Sequence, residues 1–258
     1  MTMDGRVALV AGGAGTVGSG IVHAFLHAGA TVIVPSRERA RIDALRSELE
    51  ASGEMIGALG DALSERLIGI EADIAMPAGA AEVRKVVERD VIGRGGQLDH
   101  LVTSLGGASQ GKPLRELDLD AFHAALHEYC GSHFVAMRAL LPLMEDRAGA
   151  SYTMISGVAG EQLFDLTWGP VSVGAASLFG LSMVTRAEYA EKAVRVNELR
   201  VGMRVLRKHP AQSSPYEVSH RDVGKLVVGM AQSHVRSEVI RVGDQTELRA
   251  SCGRFGVL

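Results

Sequence analysis

Cysteine is scarce in this chain, since Cys130 and Cys252 are the only two among 258 residues. Two cysteines are too few for a secreted disulfide framework, and a chain of this length buries enough surface to be stable without disulfides or a structural metal. We therefore expect a reducing, cytoplasmic location. An excess of positive charge is also absent, because the formal net charge is −3. The chain thus lacks the basic field that attracts nucleic acids and acidic membrane surfaces.

Long apolar segments are missing as well. No run of about 18 apolar residues occurs, so we expect no membrane span. The segment Met1–Arg6 contains an acid and leads directly into a predicted strand, whereas a signal peptide has a basic start and an apolar core. With 47% apolar and 22% charged residues, the composition is that of an ordinary globular protein. No shift in composition marks a domain boundary, so residues 1–258 are expected to form one domain.

Short apolar runs alternate with helical patterns along the whole chain. The runs predict seven buried strands, at Val7–Val10, Thr31–Val34, Leu67–Ile70, Leu98–Thr103, Tyr152–Ile155, Val194–Leu199 and Val239–Val242. The longest helical patterns cover Phe122–Met144, Val173–Ala190 and Asp222–Ala231. Repeated strand–helix units give parallel sheets that are covered on both faces, because their crossovers are right-handed. The sequence therefore predicts a doubly wound α/β domain with a seven-stranded parallel sheet.

A glycine-rich run, Val10–Gly18, follows the first predicted strand and opens the first helix. Glycines allow a tight turn there, and their missing Cβ atoms let the backbone approach a pyrophosphate. The free N–H groups of the helix N-terminus favour the same anion. The residues expected to bind the phosphates of a dinucleotide are Gly12, Gly15, Thr16, Val17 and Gly18. The alternative is a tight strand–helix turn that binds no ligand.

The end of the second predicted strand bears on which dinucleotide binds. It reads Val34-Pro35-Ser36-Arg37, without the acid that binds the ribose 2′-hydroxyl of NAD in nucleotide-binding folds. Ser36 and Arg37 instead fit a 2′-phosphate, so the residues favour NADP(H) over NAD(H). The alternative is that Arg37 belongs to a solvated helix start together with Arg39 and Arg41.

Further landmarks follow the glycine run in a fixed order. They are Asp73-Ile74, Leu98–Val102, Leu140-Leu141-Pro142-Leu143-Met144, Ser151–Gly160 and Val196–Gly202. Together with Gly12 and Gly18 they resemble the short-chain dehydrogenase/reductase family over nearly the whole chain. The resemblance implies a single Rossmann-type domain, a nicotinamide dinucleotide, a small-molecule substrate, and a homodimer or homotetramer that pairs through the fourth and fifth helices.

The resemblance also adds residues to the expected cofactor site. Asp73 and Ile74 correspond to the pair that contacts the adenine side in the family. Where the family has Asn-Asn-Ala-Gly, this chain has Thr103-Ser104-Leu105-Gly106, so Ser104 and Gly106 are expected beside the cofactor. The segment Met203–Tyr216 corresponds to the family's substrate-binding lid, and its composition predicts a mobile loop.

The chain departs from this family at every catalytic position. The family's Tyr-x-x-x-Lys occurs nowhere in the sequence. Alignment through the neighbouring landmarks places Val171 at the tyrosine and Ala175 at the lysine, and neither side chain has an ionisable proton. The same alignment places Tyr129 at the family's asparagine and Gly157 at its serine, with Ser156 one residue earlier.

Three side chains are left as catalytic candidates: Tyr129, Ser156 and Glu161. Tyr129 and the nearby His133 are candidates for proton transfer, and the alternative is that both fill a helix interface. Glu161 follows the fifth strand, and it could act as a general acid or base if burial raised its pKa. A solvated loop charge is the alternative. Trp168 in the same loop fits either a substrate ring or an aromatic cover over the core. No metal site is expected, because no His-Glu-x-x-His motif or cysteine pair occurs.

Three functions stay open on the sequence alone. The first is an NADP(H)-dependent enzyme without the usual proton relay, which reduces an iminium or a strongly polarised conjugated molecule. The second is a non-redox enzyme, such as a cyclase, dehydratase or isomerase, with a vestigial nucleotide site. The third is a catalytically inactive subunit. The glycine run and Arg37 favour the first function, whereas the altered catalytic and cofactor motifs favour the other two.

Overall fold

A computed structural model of the protein describes residues 2–52, 62–107, 111–207 and 214–257. Its strands are β1 (Val7–Ala11), β2 (Thr31–Ser36), β3 (Leu67–Glu71), β4 (His100–Thr103), β5 (Ser151–Gly157), β6 (Arg195–Val201), β7 (Arg204–Leu206), β8 (Glu217–Ser219) and β9 (Val239–Val242). Seven of them form one parallel sheet in the order β3-β2-β1-β4-β5-β6-β9. The predicted doubly wound domain and its seven strands are confirmed.

Helices cover both faces of this sheet. Within the described residues they are α1 (Thr16–His27), α2 (Arg39–Glu50), α3 (Leu63–Arg66), α4 (Pro77–Asp90), α5 (Leu119–Leu126), α6 (Ser132–Leu140), α7 (Gly169–Glu188), α8 (His220–Gln232) and α9 (Gln245–Arg254). The predicted patterns at Val173–Ala190 and Asp222–Ala231 correspond to α7 and α8. The C-terminal helix α9 was not predicted.

The predicted helix Phe122–Met144 is not one continuous α-helix. A π-helical turn, His127–Gly131, separates α5 from α6, and a 3₁₀ turn at Leu141–Leu143 follows α6. Gly131 permits the tight packing of the π turn, because a Cβ there would lie 2.6 Å from His127 Nδ1. Pro142 lacks an N–H group and so ends the α-helical pattern. The π turn carries Tyr129, and such turns are frequent at functional sites.

Buried side chains alternate between the two faces of the central strands. Ala8 and Val10 of β1 belong to a core cluster beneath α1 and α8. Leu9 and Ala11 belong to a second cluster beneath α4, α6 and α7. Strands that are buried on both faces are typical of parallel sheets in α/β proteins.

Helices α1 and α8 approach each other through glycines. A Cβ on Gly20 would lie 2.0 Å from the carbonyl oxygen of His220, and one on Gly224 would lie 2.1 Å from that of Gly20. Ser19 Oγ also lies 2.9 Å from His220 Nδ1 in the same buried contact. This packing holds α1, and with it the glycine-rich loop, rigidly against the domain.

Strand β7 lies within the predicted lid, Met203–Tyr216, and strand β8 follows it directly. Strands β7 and β8 pair with each other in a separate two-stranded parallel sheet, which was not predicted. Residues 208–213, within the predicted Met203–Tyr216 loop, lie outside the described residues.

Within the described residues, one helical stretch, Leu166–Glu188, is long and apolar enough to cross a membrane by length and composition alone. Val171, Ala175 and Leu178 of this stretch are buried against the rest of the protein. Core helices of soluble proteins meet the same criterion, so the observation is weak evidence for a membrane segment.

Candidate cofactor and substrate site

The glycine-rich loop crosses the carboxyl end of β1 and leads into α1. Gly12 adopts a φ of +81°, and a Cβ there would lie 2.1 Å from the carbonyl oxygen of Ser104. A Cβ on Gly18 would lie 2.1 Å from the carbonyl oxygen of Gly12. The Ser104 amide donates to the carbonyl of Ala11 at 2.9 Å, which ties the loop to the segment after β4. Both glycines are therefore required by backbone packing as well as by conformation.

Helix α1 begins without a side-chain cap. The N-cap residue is Gly15, which has no side chain to cap the helix, and the first turn contains no acidic residue. The amides of Thr16, Val17 and Gly18 belong to this first turn, where N–H groups have no partner within the helix. All three residues line a cavity. Free amides at the positive end of a helix dipole fit a phosphate, and this loop therefore fits the pyrophosphate of a dinucleotide.

The side chains of Ser36 and Arg37 differ in burial and in hydrogen bonding. Ser36 is buried, and its hydroxyl donates to the carbonyl of Glu38 at 3.2 Å. Arg37 is exposed, and no hydrogen bond or ion pair of its guanidinium is found within the described residues. Arg39 and Arg41, in contrast, are paired with Asp43 at 3.3 Å and with Glu38 at 3.5 Å. The Arg37 guanidinium is therefore available to a phosphate, whereas the Ser36 hydroxyl is already used in a hydrogen bond within the turn.

Acidic residues also lie at this corner of the sheet. Glu71 at the end of β3 stands opposite Ser36 in the strand register and is exposed. The absence of an acid directly after Val34 thus does not make the corner free of negative charge. Arg37 is the residue there that can offset this charge for a 2′-phosphate.

Asp73 and Ile74 form the turn that follows β3. Asp73 Oδ1 accepts a hydrogen bond from the Ala75 amide at 3.1 Å, and a Cβ on Gly79 would lie 2.1 Å from the Asp73 carbonyl oxygen. Ile74 is 4% exposed and packs in the core beside α4, and it does not line the cavity. These contacts shape the turn. The two residues therefore form the border of the predicted adenine-binding region chiefly through their backbone atoms.

A cavity of about 830 Å³ extends from the glycine-rich loop past the carboxyl ends of β4, β5 and β6. Its volume is within the usual range of ligand sites. Backbone and apolar side chains form most of its walls. The polar side chains among its lining residues are Thr16, Ser104, Tyr129, Ser156, Trp168 and Arg204. No Asp, Glu, His, Lys or Cys among the described residues lines it.

The residues aligned with the family's four catalytic positions meet in this cavity. Tyr129, Gly157, Val171 and Ala175 all line it, and Gly106 and Ser104 line it as well. Val171 and Ala175 are 5% and 4% exposed and pack together with Tyr129 and Trp168. The side chains at the tyrosine and lysine positions are thus part of an apolar wall.

Tyr129 is held between two glycines. A Cβ on Gly106 would lie 3.0 Å from its ring, and a Cβ on Gly174 of α7 would lie 2.5 Å from it. Burial raises the pKa of Tyr129 to about 12, the charge of Glu128 adds to the rise, and the Gly107 amide opposes it in part. The contact with this amide does not reach hydrogen-bond geometry, so Tyr129 Oη is buried without a hydrogen-bond partner among the described residues. A phenol with this pKa can donate a hydrogen bond, but it is a poor proton donor near neutral pH.

Ser156 faces the cavity from the end of β5, yet its hydroxyl is already engaged. Ser156 Oγ donates to Glu198 Oε1 at 2.5 Å. The carboxylate of Glu198 is fully buried, and the same oxygen accepts from Arg200 Nε at 3.0 Å. Glu198 Oε2 has no hydrogen-bond partner among the described residues. The predicted catalytic serine is therefore one member of a buried Ser–Glu–Arg network.

Glu161 does not line the cavity. It accepts from Arg200 at 2.7 Å and from Arg241 at 3.0 Å. Burial opposes ionisation of Glu161, but the two guanidinium groups outweigh it and lower its pKa. The condition under which Glu161 would serve as a general acid, a pKa raised by burial, is thus not met, and its observed role is to hold Arg200.

His133 is fully buried beneath the segment after β4. Its Nδ1 lies 2.8 Å from Thr103 Oγ1 and its Nε2 lies 3.2 Å from the Leu105 carbonyl oxygen. Thr103 Oγ1 also lies 3.0 Å from Tyr152 Oη. Burial lowers the pKa of His133 to about 4, although the Leu105 carbonyl opposes the shift. His133 is therefore neutral at physiological pH and lies in a structural network outside the cavity lining, which favours the predicted alternative of a helix interface.

Two residues of the network beside the cavity were not among the predicted site residues. Glu198 and Arg200 stand in β6, next to β5, and Arg200 stacks 3.5 Å from the centroid of the Phe179 ring. A signal was present, because charged residues are unusual in a buried parallel strand, and Glu198 and Arg200 stand at and just after the end of the predicted strand Val194–Leu199. Their contact with Ser156 arises only from strand pairing.

Comparisons with curated proteins agree with this architecture. The chain is 26% identical over 253 residues to 1,6-dihydroxycyclohexa-2,4-diene-1-carboxylate dehydrogenase of Acinetobacter baylyi. The aligned region covers 97% of this chain and 84% of that protein. It is 27% identical over 198 residues to dehydrogenase/reductase SDR family member 4 of Rattus norvegicus, covering 77% of this chain and 65% of that protein.

Solved structures show the same fold at low identity. A short-chain oxidoreductase of Pseudomonas aeruginosa, in its apo form and containing an atypical catalytic center, matches with a TM-score of 0.79 at 21% identity over 94% of this chain and 98% of that chain. A short chain dehydrogenase of Burkholderia cenocepacia in complex with NADP matches with a TM-score of 0.76 at 21% identity over 94% and 98%. The family model for short chain dehydrogenases matches residues 6–205. The chain therefore belongs to the short chain dehydrogenase family.

Proposed function

We propose that the protein is an NADP(H)-dependent reductase of an activated small molecule, and that the reaction takes no proton from the enzyme. Membership of the family supports a nicotinamide cofactor. The observation that carries the proposal is the composition of the cavity. It reaches from the free amides of α1 to an apolar chamber that, among the described residues, no Asp, Glu, His, Lys or Cys lines.

The residues of the glycine-rich loop would hold such a cofactor. The amides of Thr16, Val17 and Gly18 fit its pyrophosphate, and Arg37 fits a 2′-phosphate. When bound, the reduced nicotinamide would supply a hydride to the iminium carbon. No proton from the protein is needed, because the C=N π electron pair moves onto the positively charged nitrogen and neutralises it. NADP(H) rather than NAD(H) rests on Arg37 and is part of the proposal.

Ordinary ketones are poor candidates for this chamber. Their reduction places negative charge on oxygen, which needs a proton or strong hydrogen-bond donors. Val171, Ala175 and Gly157 provide neither, the pKa of Tyr129 is raised to about 12, and the Ser156 proton is bound to Glu198. Iminium ions and strongly polarised conjugated systems avoid this requirement, because the electron pair is taken up within the substrate.

A matched pair of substrates tests the proposal. Protonated 3,4-dihydroisoquinoline and 1-tetralone have similar bicyclic skeletons but differ in the group that accepts the hydride. We expect NADPH consumption with the iminium to exceed that with the ketone by at least about 100-fold, the lower end of the contribution of general acid catalysis. Turnover of the ketone at about 1 s⁻¹ would contradict the proposal. Consumption with neither compound, nor with a panel of conjugated acceptors, would favour the non-redox or inactive alternatives.

We also propose a homodimer or homotetramer in the cytoplasm. Apolar side chains of α6 and α7 are exposed, among them Phe134, Met183 and Val184 at 46%, 62% and 49%. Apolar surface of this kind on neighbouring helices fits pairing between identical subunits. Light scattering is expected to give at least twice the monomer mass, and Met183→Glu should shift the protein towards the monomer. A monomeric unmodified protein at micromolar concentration would refute this assembly.

A further inference from the structure

The geometry points to Glu198 as a specificity-determining residue that makes the cavity select a substrate with a cationic N–H group. Glu198 binds the hydroxyl proton of Ser156, so that Ser156 presents only lone pairs to the cavity. Such a wall accepts a hydrogen bond from a protonated iminium or amine and repels a carbonyl oxygen. The inference rests on the proposed function and names the substrate class of the same site.

The direction of the Ser156 hydrogen bond is the first step. A serine hydroxyl has one proton and two lone pairs, whereas an ionised carboxylate can only accept. Because Ser156 Oγ lies 2.5 Å from Glu198 Oε1, its proton is used in this short, charge-assisted bond. Ser156 lines the cavity, and the lone pairs of its hydroxyl oxygen are therefore left to accept hydrogen bonds there.

Arg200 forms an ion pair with Glu198. Arg200 lies 3.0 Å from Glu198 Oε1, and its guanidinium is also shared with Glu161 at 2.7 Å. Arg200 is thus divided between two carboxylates, and it contacts only one oxygen of Glu198. The other oxygen, Oε2, is buried without a hydrogen-bond partner among the described residues. Negative charge behind Ser156 is consequently offset only in part, which strengthens Ser156 as an acceptor.

The aromatic side chains of the cavity favour the same class of ligand. Tyr129, Phe164 and Trp168 all line it, and the Phe164 and Trp168 rings meet edge to face with centroids 5.5 Å apart. Aromatic faces attract ammonium and iminium groups. Arg204 is the only cation among the described lining residues, and its side chain is 76% exposed and lies 3.5 Å from Glu217. The lining therefore opposes a positive ligand little.

Two ligands of one shape separate this inference from simple apolar binding. Protonated 1,2,3,4-tetrahydroisoquinoline offers an N–H donor with positive charge, and isochroman has an uncharged ether oxygen in a ring of the same size. Trp168 is the only tryptophan of the chain, so quenching of its fluorescence reports binding at the cavity. We expect the ammonium ligand to bind at least about 10-fold more tightly, the lower end for one charge-assisted hydrogen bond. An apolar cavity alone would prefer isochroman, because the ammonium ion must be desolvated.

Variants of the network locate the cause of this preference. Glu198→Gln places an amide that can donate to Ser156 and release its hydroxyl, so the preference should fall by about 10-fold or more. Ser156→Ala deletes the acceptor while leaving the Glu198–Arg200 pair, and it should have the same effect even if Glu198→Gln does not fold. Glu238→Gln is the matched control, since this glutamate forms a surface ion pair with Arg254 at 2.8 Å and should leave the preference unchanged.

The outcomes also separate this inference from the proposed function. Equal or tighter binding of isochroman, no quenching by either ligand, or an unchanged preference in Ser156→Ala would overturn the inference. Because these titrations use the protein without NADPH, they do not depend on redox activity. A clear ammonium preference without any NADPH consumption would leave the inference standing and reject the reductase.

Discussion

The cavity has a phosphate half, at Gly15–Gly18, and a reaction half, around Tyr129, Ser156 and Val171. The two halves are built by different means. In the phosphate half, the contacts expected for a ligand come from backbone amides of the first turn of α1, and glycines shape the loop. In the reaction half, the contacts depend on side chains, and Val171, Ala175 and Gly157, which the resemblance places at the family's catalytic positions, form part of the wall. A backbone site tolerates substitution of neighbouring side chains, whereas a proton relay is lost with each functional group.

On our proposal, this contrast allows one family member to keep a nucleotide-binding loop while its chemistry changes. Thr16 carries a side chain within the glycine-rich run, yet its amide lies at the helix start. In the reaction half, Glu198 has meanwhile placed a buried carboxylate behind Ser156. On our proposal, Ser156 in the reaction half therefore acts as a hydrogen-bond acceptor and not as a donor.

The largest expected effect concerns the missing catalytic groups. We expect the unmodified protein to reduce ketones negligibly, and Val171→Tyr with Ala175→Lys to stay inactive because no donor holds the oxygen. Adding Gly157→Ser supplies that donor, and among the described residues a Cβ at this position would meet only the Val201 carbonyl, at 3.7 Å. The triple variant should exceed the double variant by about 100-fold or more in NADPH-dependent ketone reduction. Equal rates for the two variants would show that the reaction centre lies elsewhere.

The second effect tests the phosphate half. Gly18→Ala places a Cβ 2.1 Å from the Gly12 carbonyl oxygen, so the loop must move. Its amide N–H groups then no longer point towards the pyrophosphate. Losing two charge-assisted contacts weakens NADPH binding by about 100-fold or more. Gly180→Ala is the matched control, because no atom of the part of the chain that the structure describes lies within 4 Å of a Cβ there on α7. That control should keep its affinity and gain about 0.5–1 kcal/mol of stability in thermal unfolding. Equal NADPH affinity in the two variants would exclude the loop as the binding site.

The third effect distinguishes the two dinucleotides. Arg37→Ala should weaken NADPH binding by about 10–100-fold and leave NADH binding nearly unchanged, because only NADPH carries the 2′-phosphate. Arg39→Ala, which removes a neighbouring arginine paired with Asp43, should change neither affinity. Isothermal titration of both variants with both dinucleotides checks this. An Arg37→Ala protein with unaltered NADPH affinity would remove the basis for NADP specificity.

The smallest expected effect concerns Tyr129. Because burial raises its pKa to about 12, Tyr129 stays protonated up to pH 9 and beyond, and His133 with a pKa of about 4 stays neutral above pH 6. The turnover number at saturating iminium should therefore vary by less than about twofold between pH 6.5 and 9. Tyr129→Phe should lower it by less than about 10-fold, the value of one hydrogen bond. A loss of 100-fold or more, or a bell-shaped profile, would identify Tyr129 as the proton donor.

Most of the fold could be predicted from the sequence, because apolar runs and glycine positions are local signals. The seven strands of the sheet and the loop at Gly12–Gly18 belong to this class. Strands β7 and β8 escaped prediction, since three-residue strands leave no periodicity. Helix α9 also escaped, with only Leu248 and Cys252 buried among its residues.

The candidate site was harder to predict than the fold. Ser156 and Glu198 are 42 residues apart in the chain, and the register of β5 and β6 alone brings them together. The π turn that carries Tyr129 depends on packing around Gly131 and Gly174. Contacts of this kind are set by tertiary structure, so the sequence could name Tyr129 and Ser156 but not their hydrogen-bonding states.

Above all, we propose that the backbone half of the cavity binds a nicotinamide dinucleotide although the side-chain half provides no proton relay. Energy transfer from Trp168, which lines the cavity, to bound NADPH measures this most directly. We predict saturable transfer with NADPH, at least about 10-fold tighter than with NADH, in the unmodified protein. Absence of transfer with either dinucleotide, together with no heat of binding, would contradict the account.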